Sequence, residues 1–262
     1  MRASAPGEAL NRHGDDAAVI RKVTVDQSAA WLAAGWADIL RAPGVSFAYG
    51  AAVVAAGYVL ALGLMWLGLG SLILPLGAGF VLLGPLVAVG LYEVSRRLER
   101  GEPVTLADAL AAWRRNPSQI AFFGVGLMIA FFAWFELSLL LFALFFQGTP
   151  LSFDTFVLDV LTAPAAIPFL VIGTAMGGAI AAAVFALSVV ALPMLLDREV
   201  SAGTAALTSL EAVRANWQVM VGWAAMIAVI TGVGLATFFL GLVVAFPLVA
   251  HASWHAYRAM VD

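Results

Sequence analysis

The sequence has no cysteine, and only 11% of its residues are charged. The first absence excludes disulfides, thiolate metal sites and iron–sulfur clusters, and it leaves the redox compartment open. The second excludes a water-soluble globule. Soluble domains carry roughly a quarter charged residues, whereas 63% of this chain is hydrophobic and its mean hydropathy is +1.00. Its solvent is therefore mostly lipid. A net charge of −3 offers nucleic acid no basic face. Histidine is scarce, and the eight Met are scattered rather than clustered as copper ligands. No glycine-rich phosphate loop follows a strand, and no HExxH motif occurs. No Ser, His and Asp are expected at comparable depth on neighbouring spans. These gaps predict no cofactor and leave intramembrane catalysis without a visible site.

Long apolar runs are abundant. A span needs about 20 apolar residues to cross a core of roughly 30 Å. Six runs are candidates: Val45–Gly68, Leu72–Tyr92, Ile120–Phe146, Pro168–Leu196, Val219–Phe238 and the shorter Leu242–Tyr257. The last two are separated only by Phe239–Gly241. The 13 Lys and Arg fall on one side of this pattern. Arg2, Arg12, Arg21, Lys22 and Arg41 precede the first run. Arg96, Arg97, Arg100, Arg114 and Arg115 lie between the second and third. Arg198 and Arg214 lie between the fourth and fifth, and Arg258 follows the sixth. Cations stay cytoplasmic, so both termini are expected there. The polar stretch before the first run lacks the short apolar segment and cleavage site of a secretory signal. Residues 1–23 read as a flexible cytoplasmic tail, and residues 24–262 as one six-span domain. Gln147–Ile167, with Asp154 and Asp159 and no cation, reads as an amphipathic helix on the outer surface.

Three cytoplasmic stretches share a pattern. Leu32, Trp36 and Ile39 are apolar at i, i+4 and i+7, as are Leu106, Leu110 and Trp113, and Ala206, Leu210 and Val213. This spacing places each set on one helix face. Thr24 with Gln27, and Thr105 with Asp108, have the spacing of a capping box. Two runs follow each stretch. Pro85-Leu86, Tyr92-Glu93 and Arg96 also recur at one constant offset as Pro247-Leu248, Trp254-His255 and Arg258. The expected fold is all-α, with six transmembrane helices and three cytoplasmic interfacial helices. Its units are three copies of amphipathic helix, span, span about a pseudo-threefold axis.

The candidate functional residues are few. His251 and His255 share a face of the sixth run, a spacing that can chelate a metal such as zinc. Glu93 and Asp197 join them as a candidate polar cluster if the cytoplasmic ends of the second, fourth and sixth runs converge. The competing reading is an interfacial cluster beside Trp254 and Tyr257. Two histidines one turn apart cannot occupy both axial positions of one haem iron. Glu136 is the ionisable residue set deep in an apolar run. An intramembrane charge costs on the order of 2.5–3.5 kcal/mol, so Glu136 should face the bundle or be protonated. Gly173, Gly177 and Ala181 form a small-residue ridge suited to close helix packing.

The stretches GPLVAVGLYEVSRRLERGEPVTLADALAAWRRNP (Gly84–Pro117), FALSVVALPMLLDREVSAGTAALTSL (Phe185–Leu210) and HASWHAYR (His251–Arg258) resemble a bacterial integral-membrane family, domain of unknown function 2189. The resemblance extends over most of residues 24–260 and implies a bacterial inner-membrane location. Some relatives carry a cytochrome c oxidase label. An oxidase core subunit needs histidines spread over several spans, so any respiratory link implied by that label is an accessory one. The expected partners are the bilayer and other membrane proteins, and the expected role is a non-catalytic accessory or scaffold. A small-solute or ion transporter is the first alternative. A metal- or lipid-handling enzyme built on Glu93, Asp197 and His255 is the second.

Overall fold

The computed structural model describes residues 19–146 and 160–262, and its described residues form helices connected by turns. Helix α1 (Gln27–Arg41) leads through Ala42 into α2 (Pro43–Trp66). A turn at Gly68, with φ +72°, and a 3₁₀ segment (Gly70–Leu72) reverse the chain. The return is divided into α3 (Ile73–Leu82), α4 (Gly84–Val87) and α5 (Val89–Glu99). Next come α6 (Leu106–Ala111), a 3₁₀ turn (Ala112–Arg114) and α7 (Pro117–Phe145). After the undescribed stretch come α8 (Ala166–Ser188), α9 (Ala191–Asp197), α10 (Ala202–Ala215), α11 (Trp217–Ala236) and α12 (Leu242–Met260). Most of the amphipathic segment expected over 147–167 lies outside the described residues.

Among the described residues four segments are long and apolar enough to cross a membrane: Pro43–Trp66, Pro117–Phe145, Ala166–Asp197 and Trp217–Ala236. The second and sixth runs differ from these. Pro85 has no N–H to give to the preceding turn, and the chain passes Leu83 and Ala88 through tight i to i+3 bonds. The second run is thus broken into three short helices. The sixth is continuous through Pro247, but its last half carries His251, Ser253, His255 and Arg258. It is surrounded by protein, packing against α1, α2, α5, α9 and α11.

The close approaches explain why α12 can be the central post. A Cβ at Gly35 of α1 would lie 2.7 Å from the Ala252 backbone nitrogen, and one at Gly50 of α2 would collide with the Val243 carbonyl. Val243 is four residues before Pro247, so its carbonyl lacks the usual helical donor, and glycine leaves room beside it. The break between α8 and α9 precedes Pro193 in the same way. There Ser209 of α10 mends both sides, accepting from Val190 N at 3.2 Å and donating to Ala186 O at 2.8 Å.

The three amphipathic helices bury only part of their apolar stripes: Ile39 is buried, Trp36, Leu106, Leu110 and Trp113 are exposed, and Ala206, Leu210 and Val213 are half-buried. On α1 the buried residues are Ser28, Trp31, Gly35, Asp38 and Ile39, while Trp36 and Leu40 are exposed. On α6 Ala109 is buried and Leu106 and Leu110 are exposed. On α10 Ala202, Ala205 and Ala212 are buried and Leu207 is exposed. Small residues face protein because backbones approach closely there, and the bulky apolar side chains are left for lipid. The box of Thr105 and Asp108 forms, whereas Thr24 does not cap α1: Asp26 stands at that N-cap without a side-chain bond. Ser201, which the spacing did not single out, caps α10 by accepting from Thr204 N. The described end of the expected tail is paired. Arg21 N donates to Met260 O and Asp262 N to Val19 O, and Asn216 bonds both Val23 N and Arg21 O.

Gly35→Ala should weaken the α1–α12 contact by about 1–3 kcal/mol, the usual cost of overpacking. Gly63→Ala, at a site with open space around it, should be neutral. Thermal melts of the purified protein in mild detergent, read by size-exclusion, test the pair. Equal midpoints would show that the helices are not held this closely.

Candidate polar site at the converging helix ends

Three returning segments, α5, α9 and α12, meet at one end of the bundle. Leu91, Val94, Leu192, Leu195, Trp254 and Tyr257 fill the space between them and are fully buried. A polar layer is built around this apolar plug. Its first part is a continuous line of hydrogen bonds through α1, α2, α5 and α12. Ser46 Oγ lies 3.0 Å from His251 Nε2, and Ser95 Oγ lies 2.7 Å from His251 Nδ1. Ser95 Oγ also donates to Asp38 Oδ2 at 2.8 Å, and the same oxygen meets His255 Nε2 at 2.8 Å.

Proton counting orders this line. Ser95 has one hydroxyl proton and gives it to Asp38, so at His251 it must accept. His251 is thereby protonated on Nδ1, which in the neutral ring leaves Nε2 bare to accept from Ser46. Asp38, Ser46, Ser95 and His251 are all buried, whereas the His255 side chain is 25% exposed and forms the outer end. Burial raises the pKa of Asp38. Donation from His255 and Ser95, with the two nearby imidazoles, outweighs it and holds the carboxyl below its ordinary range.

The second part is centred on Glu93. Arg96 forks onto it with two bonds of 2.7 Å, and both side chains are buried. Arg97 Nε donates to Glu93 Oε1 at 2.9 Å and Arg115 Nη1 stands 3.8 Å from the same oxygen. Burial again raises the carboxyl's pKa, and the arginines more than reverse it. The third part surrounds Asp197. Tyr257 donates its hydroxyl to Asp197 at 3.0 Å, and Arg100 and Arg258 approach at 3.4 and 3.7 Å. Glu99 links this part to α12 by accepting from Trp254 Nε1 and Arg258 Nε, each at 3.1 Å.

The three returning ends therefore do converge, which was the condition for a cluster, but the four residues do not form one site. His251 and His255 belong to the Asp38 line, Glu93 to the arginines, and Asp197 to Tyr257. Among the described residues no three His, Asp or Glu side chains group as metal ligands. Sequence reasoning missed Asp38, Ser46 and Ser95; the expectation about Ser, His and Asp concerned neighbouring spans, and the Asp is supplied instead by α1, which is not one of them. A signal for Asp38 existed: it falls on the same stripe of α1 as Trp31 and Gly35.

The order Ser46, His251, Ser95, Asp38 is that of a nucleophile, a base and its orienting groups. Ser46 is fully buried, however. The nearby cleft of about 410 Å3, between Arg41–Val45 and Leu98–Val104, is lined by neither Ser46 nor His251. What the arrangement does physically is fasten four helices through one buried carboxylate and one imidazole.

The remaining candidates lie away from this layer. Glu136 is exposed on the outer side of α7. It faces away from the bundle because the inward side of α7 is taken by Phe131 against Gly79, by Leu127, and by Trp134, whose Nε1 donates to Pro75 O at 2.8 Å. Gly173 and Gly177 are covered by Leu141 and Trp134 of α7, so that part of the ridge is internal packing, while Ala181 is exposed.

Apolar helices of this length joined at one polar end define an integral membrane protein. Residues 72–197 of the chain match the family described as "Predicted integral membrane protein (DUF2189)". That match contains Gly84–Pro117 and the first part of Phe185–Leu210, but not the closing histidine motif. No curated protein and no solved structure matches the chain.

Glu93→Gln leaves Arg96 buried without its counter-ion and should cost about 3–5 kcal/mol. The folded pKa of Glu93 and Asp38 is lowered, so their contribution is complete above about pH 5 and disappears as pH falls through their folded values, which lie under the ordinary carboxylate range. Melting midpoints in detergent between pH 7 and 3 should fall for the native chain. They should begin lower and vary less for Glu93→Gln. Parallel profiles would show that Glu93 contributes nothing to the acid sensitivity.

Proposed function

We propose that this protein is a non-catalytic, six-pass protein of the bacterial inner membrane that serves as an accessory or scaffold for other membrane machinery, respiratory complexes among the candidates. One observation carries the reading: the groups capable of chemistry are occupied by one another. Both nitrogens of His251 are held by serines, Glu93 is gripped by arginines, and Ser46 is sealed from solvent. A polar layer built this way fixes shape.

The six-pass reading is supported by the return of α3–α5 and of α12 to the polar end that α2 and α11 leave. Cytoplasmic termini are supported by the cations gathered in that layer. A threefold plan is supported by the packing of α1 on α12, α6 on α5 and α10 on α9. In each case the amphipathic helix lies on the returning segment that precedes it, with α12 preceding α1 if the order is closed into a ring.

Transport is the second reading, since the hydrogen-bonded line runs from half-open His255 inward to Ser46. It would have to continue along α2, where the next buried positions are Gly50 and Val54, which have no polar side chain. The enzyme reading is separated by a serine-directed fluorophosphonate probe applied to the protein in membranes. Ser46 is expected to stay unlabelled. Stoichiometric labelling that disappears in Ser46→Ala would overturn the non-catalytic reading.

A further inference from the structure

The outer side of α7 carries a carboxyl that the polar layer does not use. Glu136 is exposed, and among the described residues it has no hydrogen bond or ion pair. Intramembrane acids almost always face a bundle interior or a wet cavity, because lipid offers them no partner. Here the interior side of the helix is already filled. The residues around Glu136 have a regular form. Phe122, Gly126, Ile129, Ala133, Glu136 and Leu140 alternate steps of four and three, and all are exposed. That is the seam of a left-handed helix pair, with small residues at alternate positions where backbones come close. A Cβ at Gly126 would meet nothing within 4 Å, so the seam is open along that part of its length.

We propose that this seam is the contact with a second copy of the same chain, α7 against α7, with the two Glu136 carboxyls facing each other. The orientation argument selects this occupant. Copies inserted by the same cation signals run parallel, and a twofold axis along the membrane normal brings each residue to its own depth in the partner. The second copy thus supplies a carboxyl at the required level without any further group. Two carboxyls sharing one proton give each other a donor and an acceptor, and neither is left to lipid. A single polar residue in an apolar seam also fixes register. This contact lies far from the His251 layer and does not depend on the accessory reading of the protein.

The absence of cysteine makes the test direct. Single-cysteine variants of the full chain, expressed with two different tags and oxidised in native membranes, report which positions meet. Gly126→Cys and Ala133→Cys should give disulfide-linked dimers carrying both tags. Ala121→Cys and Met128→Cys, exposed on the neighbouring face, should give few. Adding Glu136→Leu to the Ala133→Cys chain should weaken association roughly five- to thirtyfold. Adding Glu136→Gln, which keeps a donor and an acceptor, should preserve it. Glu136→Leu puts an apolar group on a lipid-facing surface, so the variant should remain folded, and size-exclusion in detergent checks that it does. Equal crosslinking at all four positions, indifference to Glu136→Leu, a disulfide to some other polypeptide, or monomer throughout would each overturn the proposal.

Discussion

A carboxylate removed from water must be met by donors on every side, and that requirement organises this protein. Asp38 and Glu93 are both buried, and neither is tolerable without the groups around it. Meeting Asp38 requires α5 to bring Ser95, and α12 to bring His255. Ser95 can give its proton to Asp38 only if it accepts from His251, and His251 then binds α2 through Ser46. One acid therefore dictates the relative positions of four helices. Glu93, two residues before Ser95, does the same for the opposite side of α5, drawing in Arg97 and Arg115 and through them the α6 region and its 3₁₀ turn.

Such a network can close only if the backbones come near enough, and this is the work of glycine and proline. Pro85, Pro193 and Pro247 each free a carbonyl shortly before the polar end of a returning segment, and the first two stand just after helix breaks. Gly35 and Gly50 then let α1 and α2 lie directly against α12, where any side chain would collide with backbone. The returning ends meet beyond these prolines, and the glycines admit the neighbours that satisfy them. Neither device would position the polar groups alone.

The helical class, the existence of a polar end and the involvement of His251, His255, Glu93 and Asp197 could be read from the sequence, because hydropathy and cation placement are local signals. The partnerships could not. Asp38 and His251 are separated by most of the chain, and nothing in either neighbourhood marks the other. Which side of α1 meets protein was not legible in its periodicity, for a physical reason. Apolar periodicity in water points to a protein core, but for a helix at a membrane surface the bulky side chains of Trp36 and Leu40 have lipid as an alternative, and Gly35 and Ser28 take the protein side. Likewise Leu72–Tyr92 has the composition of one span, while Pro85 decides that it is not one helix.

The distribution of packing suggests how the two ends of the molecule differ in role. Only 22%, 17% and 22% of the most apolar windows in α2, α7 and α11 are buried inside the protein, against 56% for the run Ala166–Asp197, which includes α9. Helix association in lipid gains nothing from the hydrophobic effect, so it depends on close fit and polar contacts. Both are concentrated at the polar end, where water-facing burial adds its own driving force. The apolar halves are therefore free to meet lipid or other helices without loosening the bundle.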